Sequence, residues 1–406
     1  MASKGLESDY RMSKGLTPEV PRDELESRYK RLQNSCEEFG FDAVLIYGSP
    51  VEPAWIRYLA NYVHPFVIAD SFLVAAPNRP PTLLVDREWF LDNAREMSWV
   101  EDVRPFPYVE FEWGFDPLVK LTRELFAPCA QGTIGICDVD MPAKYYRAIR
   151  EALPKAELKD ATAMLWSVLA RKSPYDIEMI NNTAKIADNV MMAALNACGP
   201  GVPEFEAGLA AERVAWENGC EYGSGSQVRT HIYVASGSTV ISNVRPYRFT
   251  RKPLQKGEMF FIDLSICYQG YYTCFCRSVC VGPPTGKQKD VYDAVMAMHK
   301  ATFEAMRPGV SGEELWEVGL EVARQAGYEK EVNFVWNGHG TGLINSEYPF
   351  FAPGEKRTLE ANTFANLEPG IFPLGEVGTC SIEDAVFIGE EKSVFATKCP
   401  RDLHIA

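Results

Sequence analysis

What the chain lacks narrows its chemistry before any motif is read. Its 406 residues carry 41 Lys and Arg against 55 Asp and Glu, a formal charge of −14. Nucleic acid and anionic membranes both require a basic face, so neither is an expected partner; a small molecule or short peptide is. No apolar run reaches the ~18 residues that cross a bilayer. The opening stretch "MASKGLESDYRMSKGLTPEV" has none of the basic, apolar and small-residue succession of a secretion signal, and the expectation is a cytoplasmic protein. The eleven cysteines lack the tight CxxC pairing of a structural zinc site. Without a secretion signal they read as reduced thiols, most of them small core residues.

What is present is an ordinary globular composition, 46% hydrophobic and 24% charged, on a chain too long for one core, since single cores stop growing at about 250–300 residues. Residues 1–20 mix charge, Gly and Ser without a period and are expected to be a loose arm. "FDAVLIYG" (41–48), "SFLVAA" (71–76) and "PTLLVD" (81–86) read as strands, with helices around 23–38 and 142–152, which makes 21–168 an α/β domain. The second domain is expected over 169–406. It opens with a helix: Ser173 can cap it, Pro174 suits its first position, and Ile177, Ile180, Ala184, Ala187 and Met191 recur at helical spacing up to Gly199-Pro200. Ser311 and Glu314 predict a capping box for another helix, with Leu315, Val318 and Val322 as its inner stripe. Strands are expected at 259–266, 271–282, 362–370 and 381–389, in an antiparallel arrangement.

Four polar residues interrupt these apolar strands and turns: Asp263, His339, Glu368 and Glu383. Strand alternation puts Glu383 with Ser381 and Ala385 on one face and Asp384 on the other. Gln269-Gly270 predicts a hairpin turn that brings Asp263 and Cys274 to one site. A buried carboxylate is costly unless paired or bound to metal, and three carboxylates with an imidazole suit a divalent ion.

The pieces "FIDLSICYQGYY", "GHGTGL", "LEPGIF" and "IEDAVFIG", with the lead-in "LWSVLARKSPYDIEMI", resemble the creatinase, prolidase and methionine aminopeptidase family, over roughly residues 165–390. The resemblance implies a C-terminal pita-bread domain, a curved antiparallel sheet flanked by helices, behind a creatinase/prolidase-like N-terminal domain; the class is α/β (α+β). It also implies a divalent-metal site whose five ligand positions fall on Asp263, Cys274, His339, Glu368 and Glu383, where Cys274 replaces an aspartate. A thiolate offers one soft atom in place of two hard oxygens, so one ion (zinc, iron or manganese) is expected; a metal-free site, as in creatinase, is the alternative. Two histidines of the family's peptidases are also replaced, by Asn243 and Ser346, and neither residue shuttles a proton at neutral pH. Glu383 and His339 are the expected catalytic groups, with Glu347, Cys276, Tyr271 and His231 as further candidates for proton handling. By analogy with creatinase-like homodimers, residues 57–66 of one subunit reach the other's site, offering Arg57, Tyr62, His64 or Phe66. The expected substrate contacts are Arg57, His64, Phe66, His231, Asn243, Tyr271 and Ser346.

The leading expectation is a hydrolase that cleaves a C–N bond in a small amide- or amidine-like molecule with a water activated by the ion. The alternatives are an Xaa-Pro dipeptidase or aminopeptidase, a metal-free amidinohydrolase, a lyase on the same scaffold, and a binding protein without catalysis.

Overall fold

A computed structural model describes residues 20–406 apart from 52, 65–68, 107–115, 138–140, 221–229, 238–248, 333–335, 373–374 and 376. The expected arm, apart from Val20, therefore lies outside the described residues. The chain divides into two compact units at Ala170/Arg171, two residues beyond the expected boundary.

The N-terminal unit is built on strands β1 (Ala43–Gly48), β2 (Ser71–Ala76), β3 (Arg79–Asp86), β4 (Asp102–Phe106), β5 (Thr133–Cys137) and β6 (Glu157–Asp160), in the order β4-β3-β2-β1-β5-β6. The pairs β1/β2 and β2/β3 are antiparallel; β3/β4, β1/β5 and β5/β6 are parallel. Parallel neighbours need a crossover; of the unit's helices α1 (Arg22–Phe39), α2 (Ala54–Ala60), α3 (Leu91–Met97), α4 (Asp116–Leu125), α5 (Ala143–Ala152) and α6 (Thr162–Ala170), α3 supplies it between β3 and β4 and α5 between β5 and β6. β1 and β2 are buried along their whole length, as strands covered on both faces must be, which explains their unbroken apolar runs.

The C-terminal unit opens with α7 (Pro174–Ala197), where Ser173 and Asp176 form a reciprocal capping box. It is followed by α8 (Glu204–Glu217) and β7 (His231–Val234). The long hairpin β8 (Met259–Tyr268) and β9 (Tyr271–Cys280) turns at Gln269 and Gly270, both at positive φ (52° and 84°), the backbone a two-residue primed turn demands. Then come α9 (Gly286–Ala305), capped by Thr285 and Gln288, and α10 (Gly312–Gln325), capped by Ser311 and Glu314 as expected. Its buried stripe is Leu315, Trp316, Gly319 and Ala323, with Val318 and Val322 only half buried. Gly319 sets that rotation: a Cβ there would stand 2.9 Å from Asn337 Nδ2 and 3.3 Å from Thr302 Oγ1, so the helix can approach only on its glycine.

The remaining strands are β10 (Gly338–Gly340), β11 (Glu347–Phe350), β12 (Thr363–Leu367), β13 (Gly370–Ile371), β14 (Cys380–Ser381), β15 (Asp384–Ile388), β16 (Ser393–Phe395) and β17 (His404–Ile405). They complete one sheet in the order β11-β10-β12-β15-β16, a β13-β14 pair, and a sheet in the order β17-β9-β8-β7. Alternation along the hairpin gives it two unlike faces. Phe260, Ile262, Leu264, Ile266, Phe275 and Val279 join the core beneath α7 and α8, while Asp263, Ser265, Cys274 and Cys276 share the opposite face.

Candidate functional site

His339 stands in the middle of β10, opposite Asn366 of β12, which in turn pairs with Ala385 of β15. Glu368 follows β12 and Glu383 immediately precedes β15. Donor atoms of His339, Glu368 and Glu383 converge to within 4.8 Å of one another. All three side chains are buried, and His339 Nε2 lies 3.8 Å from Glu383 Oε1. The other imidazole nitrogen, Nδ1, sits 2.8 Å from the Gly340 carbonyl. Because a carbonyl only accepts, Nδ1 carries the proton and Nε2 presents its lone pair to the carboxylates, the tautomer a metal ligand needs. Trp336 Nε1 donates to Glu368 Oε2 at 3.2 Å. The Glu383 backbone is tied to the hairpin through its N–H to the Cys276 carbonyl, 3.2 Å. One neutral imidazole and two carboxylates, with the imidazole oriented by its own carbonyl, fit a zinc, iron(II) or manganese ion.

Next to Glu383, Asp384 points the other way, as strand alternation predicts. Burial alone would raise its pKa, but Arg277, His299 and Arg401 hold it below the ordinary carboxylate range. Arg277, 1% exposed, donates to the Asp384 carboxylate and to the carbonyls of Cys276, Glu383, Cys399 and Pro400.

The hairpin forms a second wall. Across its ladder Ser265 stands opposite Cys274, and Asp263 opposite Cys276; on the other side His231 faces Ser265 and Tyr233 faces Asp263. Directly paired residues project to one side, so His231 joins the same face, its ring 4.8 Å from that of Tyr233. Asp263 and Cys274 are not part of the converging three-residue group. Cys274 is instead engaged with Asn345: its Sγ contacts Asn345 Oδ1, which also accepts from Ser265 Oγ at 2.6 Å. Burial, and then the Glu383, Asp263 and Glu368 carboxylates, push the Cys274 thiol well above its ordinary pKa.

Three of the expected site residues make contacts of another kind. Glu347 is not available to move protons: Lys172 Nζ pairs with its Oε2 at 2.6 Å, and the Leu343 and Ile344 amides donate to its Oε1 at 2.6 and 3.1 Å, so it holds the loop 341–347 in shape. Tyr271 lies on the hairpin face opposite Cys274, where its hydroxyl donates to Asp176 Oδ1 at 2.7 Å and secures the start of α7. His64, buried in the N-terminal unit, has Nε2 2.6 Å from Ser71 Oγ, and Tyr62 beside it is fully buried. Arg57 is half-buried on α2, and Ser346 half-buried in its loop, where the neighbouring Asn345 makes the contact with the hairpin. Phe66 and Asn243 lie outside the described residues.

Sequence reasoning passed over Trp336, Phe350, Asn345 and Asn366. Trp336 and Phe350 line the site at 5.4 Å from each other, with ring centroids 6.3 and 6.2 Å from His339. Asn366 is fully buried opposite His339, and neither of its amide atoms has a hydrogen-bond partner among the described residues. A polar residue between apolar neighbours in "TFANLEP" is the signal that could have found it.

Residues 178–390, more than half of the chain, match the family described as Metallopeptidase family M24. The chain belongs to that family. Residues 28–168 match the Creatinase/Prolidase N-terminal domain, so both halves of the expected architecture are present in this M24 member. The expectation of a hydrolase in the creatinase and Xaa-Pro peptidase family is met. The chain is 26% identical over 310 residues to an Xaa-Pro dipeptidase of Pyrococcus furiosus, covering 76% of this chain and 84% of that one. It is 25% identical over 392 residues to an agropine synthesis cyclase of Rhizobium rhizogenes, covering 91% and 95%. Its fold resembles that of the prolidase from Pyrococcus horikoshii OT3, with a TM-score of 0.79 at 24% identity, over 93% of this chain and 99% of that one. Among the described residues no helix is long and apolar enough to cross a membrane.

Proposed function

We propose that this M24 member is a metal-dependent hydrolase that cleaves the C–N bond of a dipeptide-sized amide, in the class of the Xaa-Pro dipeptidases. The observation that carries this reading is the convergence of His339 Nε2 with the Glu368 and Glu383 carboxylates, with Nδ1 of the imidazole committed to the Gly340 carbonyl. When bound there, a divalent ion supplies a Lewis acid and brings the pKa of a water near 7. The chain's own groups do the rest. His339 is held in the ligating tautomer, and Trp336 fixes one oxygen of Glu368. Glu383, held through its backbone by Cys276 and Arg277, takes the proton from the attacking water and returns it to the leaving nitrogen. Glu347 has no part in that transfer because Lys172 and two amides occupy its carboxylate. Trp336 and Phe350 offer an apolar wall that suits the ring of a proline or another compact side chain.

A second reading has its own support. Cys274 and Ser346 replace a carboxylate and a histidine of the family's peptidases, and the cyclase relative spans nearly the whole chain at an identity close to that of the dipeptidase. These features favour a substrate other than an Xaa-Pro peptide, and the second reading takes it to be a non-peptide amide or amidine. One experiment decides: the protein is stripped with a chelator, reloaded with manganese, zinc or iron(II), and assayed on Xaa-Pro dipeptides, other dipeptides, and N-acyl and guanidino compounds. Metal-restored turnover of Xaa-Pro dipeptides supports the first reading; turnover confined to the non-peptide amides replaces it with the second.

A further inference from the structure

We infer that Asn366 is a positioning residue of the metal centre: its side-chain amide donates to oxygen atoms gathered at His339, Glu368 and Glu383 when an ion is bound, and so supports the ligating geometry. The inference rests on the reading of those three residues as a metal centre and adds a member to it.

Asparagine is a poor residue for this place. Strands favour β-branched and aromatic residues and are depleted in Asn, yet Asn366 sits within β12, which is paired on both sides, by β10 and β15. Its neighbours Ala365 and Leu367 turn into the core with Leu315 and Phe351, so strand alternation sends Asn366 to the other face. That face carries the site, because His339 is its direct partner on β10 and directly paired residues project to one side. One step beyond the Leu367/Asp384 pair of the β12/β15 ladder, Glu368 comes opposite Glu383. Asn366 therefore has the imidazole beside it, one carboxylate two residues along its own strand and the other on the diagonal, spacings of about 4.5–8 Å over which side chains on one sheet face meet. An asparagine side chain is one methylene shorter than a glutamate. Its amide ends beneath the point where the donor atoms converge, in the position of a support.

Asn366 is fully buried, and neither of its amide atoms has a hydrogen-bond partner among the described residues. A buried polar group left unmet is costly, and an apolar side chain of the same shape avoids that cost. Ligand oxygens drawn into position around an ion supply the missing partner, and outer hydrogen bonds of this kind orient metal ligands. Thr302 provides the contrast. Its hydroxyl is likewise fully buried without a partner among the described residues. It belongs to α9 and lies where Gly319 of α10 approaches, 3.3 Å from the place a Cβ would take, and not on the sheet face that carries the ligands.

The test uses the full chain, stripped with a chelator and titrated with manganese or zinc by calorimetry, with urea unfolding of the stripped protein as the second readout. Asn366→Leu keeps the shape and removes the amide. It should bind the ion about 10–100-fold more weakly, while the stripped protein unfolds at the same or a higher urea concentration than wild type. A residue with a structural role alone does not separate the two readouts in that way. Asn366→Thr, which returns a donor on a side chain suited to a strand, should bind within about threefold of wild type. Thr302→Val should match the stability result and leave affinity within about threefold of wild type. Should Asn366→Leu not fold, Asn366→Ala takes its place with the same expected loss of affinity. Unchanged affinity in the folded variant overturns the inference and leaves the metal centre standing. A clear fall in the urea midpoint of stripped Asn366→Leu also overturns it, since the amide then has a partner in the unloaded chain. A loss far beyond about 100-fold makes Asn366 a ligand and refutes the supporting role. Failure of the wild type to bind either ion removes the metal centre and the inference together.

Discussion

The two walls of the site are built on opposite electrostatic plans. The wall from β10, β12 and β15 keeps an imidazole and two carboxylates aimed at one point, each backed by a group that orients it: the Gly340 carbonyl behind His339, the Trp336 indole on Glu368, the Arg277 and Cys276 contacts behind Glu383. The hairpin wall has a carboxylate at Asp263, then a hydroxyl, a thiol and an amide that satisfy one another. The difference teaches where such a site can change. A strand position whose polar partner comes from a separate loop can trade charge for neutral hydrogen bonds, whereas a ligand locked by its own backbone cannot be exchanged without losing the geometry.

This contrast can be broken most severely on the charged wall. Glu383→Ala or His339→Ala should leave a folded protein that binds its ion more weakly by more than the 10–100-fold typical of an outer partner, measured by titration calorimetry with activity assayed in parallel. Arg277→Met leaves the Asp384 carboxylate short of its main counter-charge in a buried setting and should cost about 3–5 kcal/mol, read from urea unfolding. Trp336→Phe keeps the aromatic wall and deletes one hydrogen bond to Glu368; metal affinity should fall about 10-fold. Tyr271→Phe, on the far face of the hairpin, should cost about 1 kcal/mol of stability with no change in metal affinity. Ser346→Ala, half-buried in the loop, should stay within about 0.5 kcal/mol of wild type and near wild-type turnover; a large loss of activity there would make Ser346 a substrate contact, as its place in the sequence suggests.

Local signals were the legible ones. The strand 71–76 was bounded correctly because its apolar run sits between turns, the start of α7 because Ser173 can cap it with Pro174 at its first position, the start of α10 because Ser311 carries Glu314 three residues on, and the hairpin because Gln269-Gly270 meets a primed turn's backbone requirement. The Thr285–Gln288 capping box of α9 was equally local and was passed over. His339, Glu368 and Glu383 were readable as polar breaks in apolar strands. The rest depended on partners distant in sequence. Ser265 meets Asn345 80 residues away, and Lys172 captures Glu347 from 175 residues away; no spacing rule connects them, so Glu347 looked free and Asn345 went unnoticed. Val318 and Val322 fitted a helical stripe, but the rotation of α10 was decided by the close approach at Gly319.

Arg277 spends every N–H of its guanidinium on groups drawn from β9, from the approach to β15 and from Cys399 and Pro400, and β17 then pairs in parallel with β9 through His404 and Ile405. The hairpin is therefore finished by groups 122 and 123 positions further along the chain. Without Cys399 and Pro400 the guanidinium that braces the Glu383 carbonyl would lack two of its acceptors. Trimming those residues would act as an active-site mutation made from a distance.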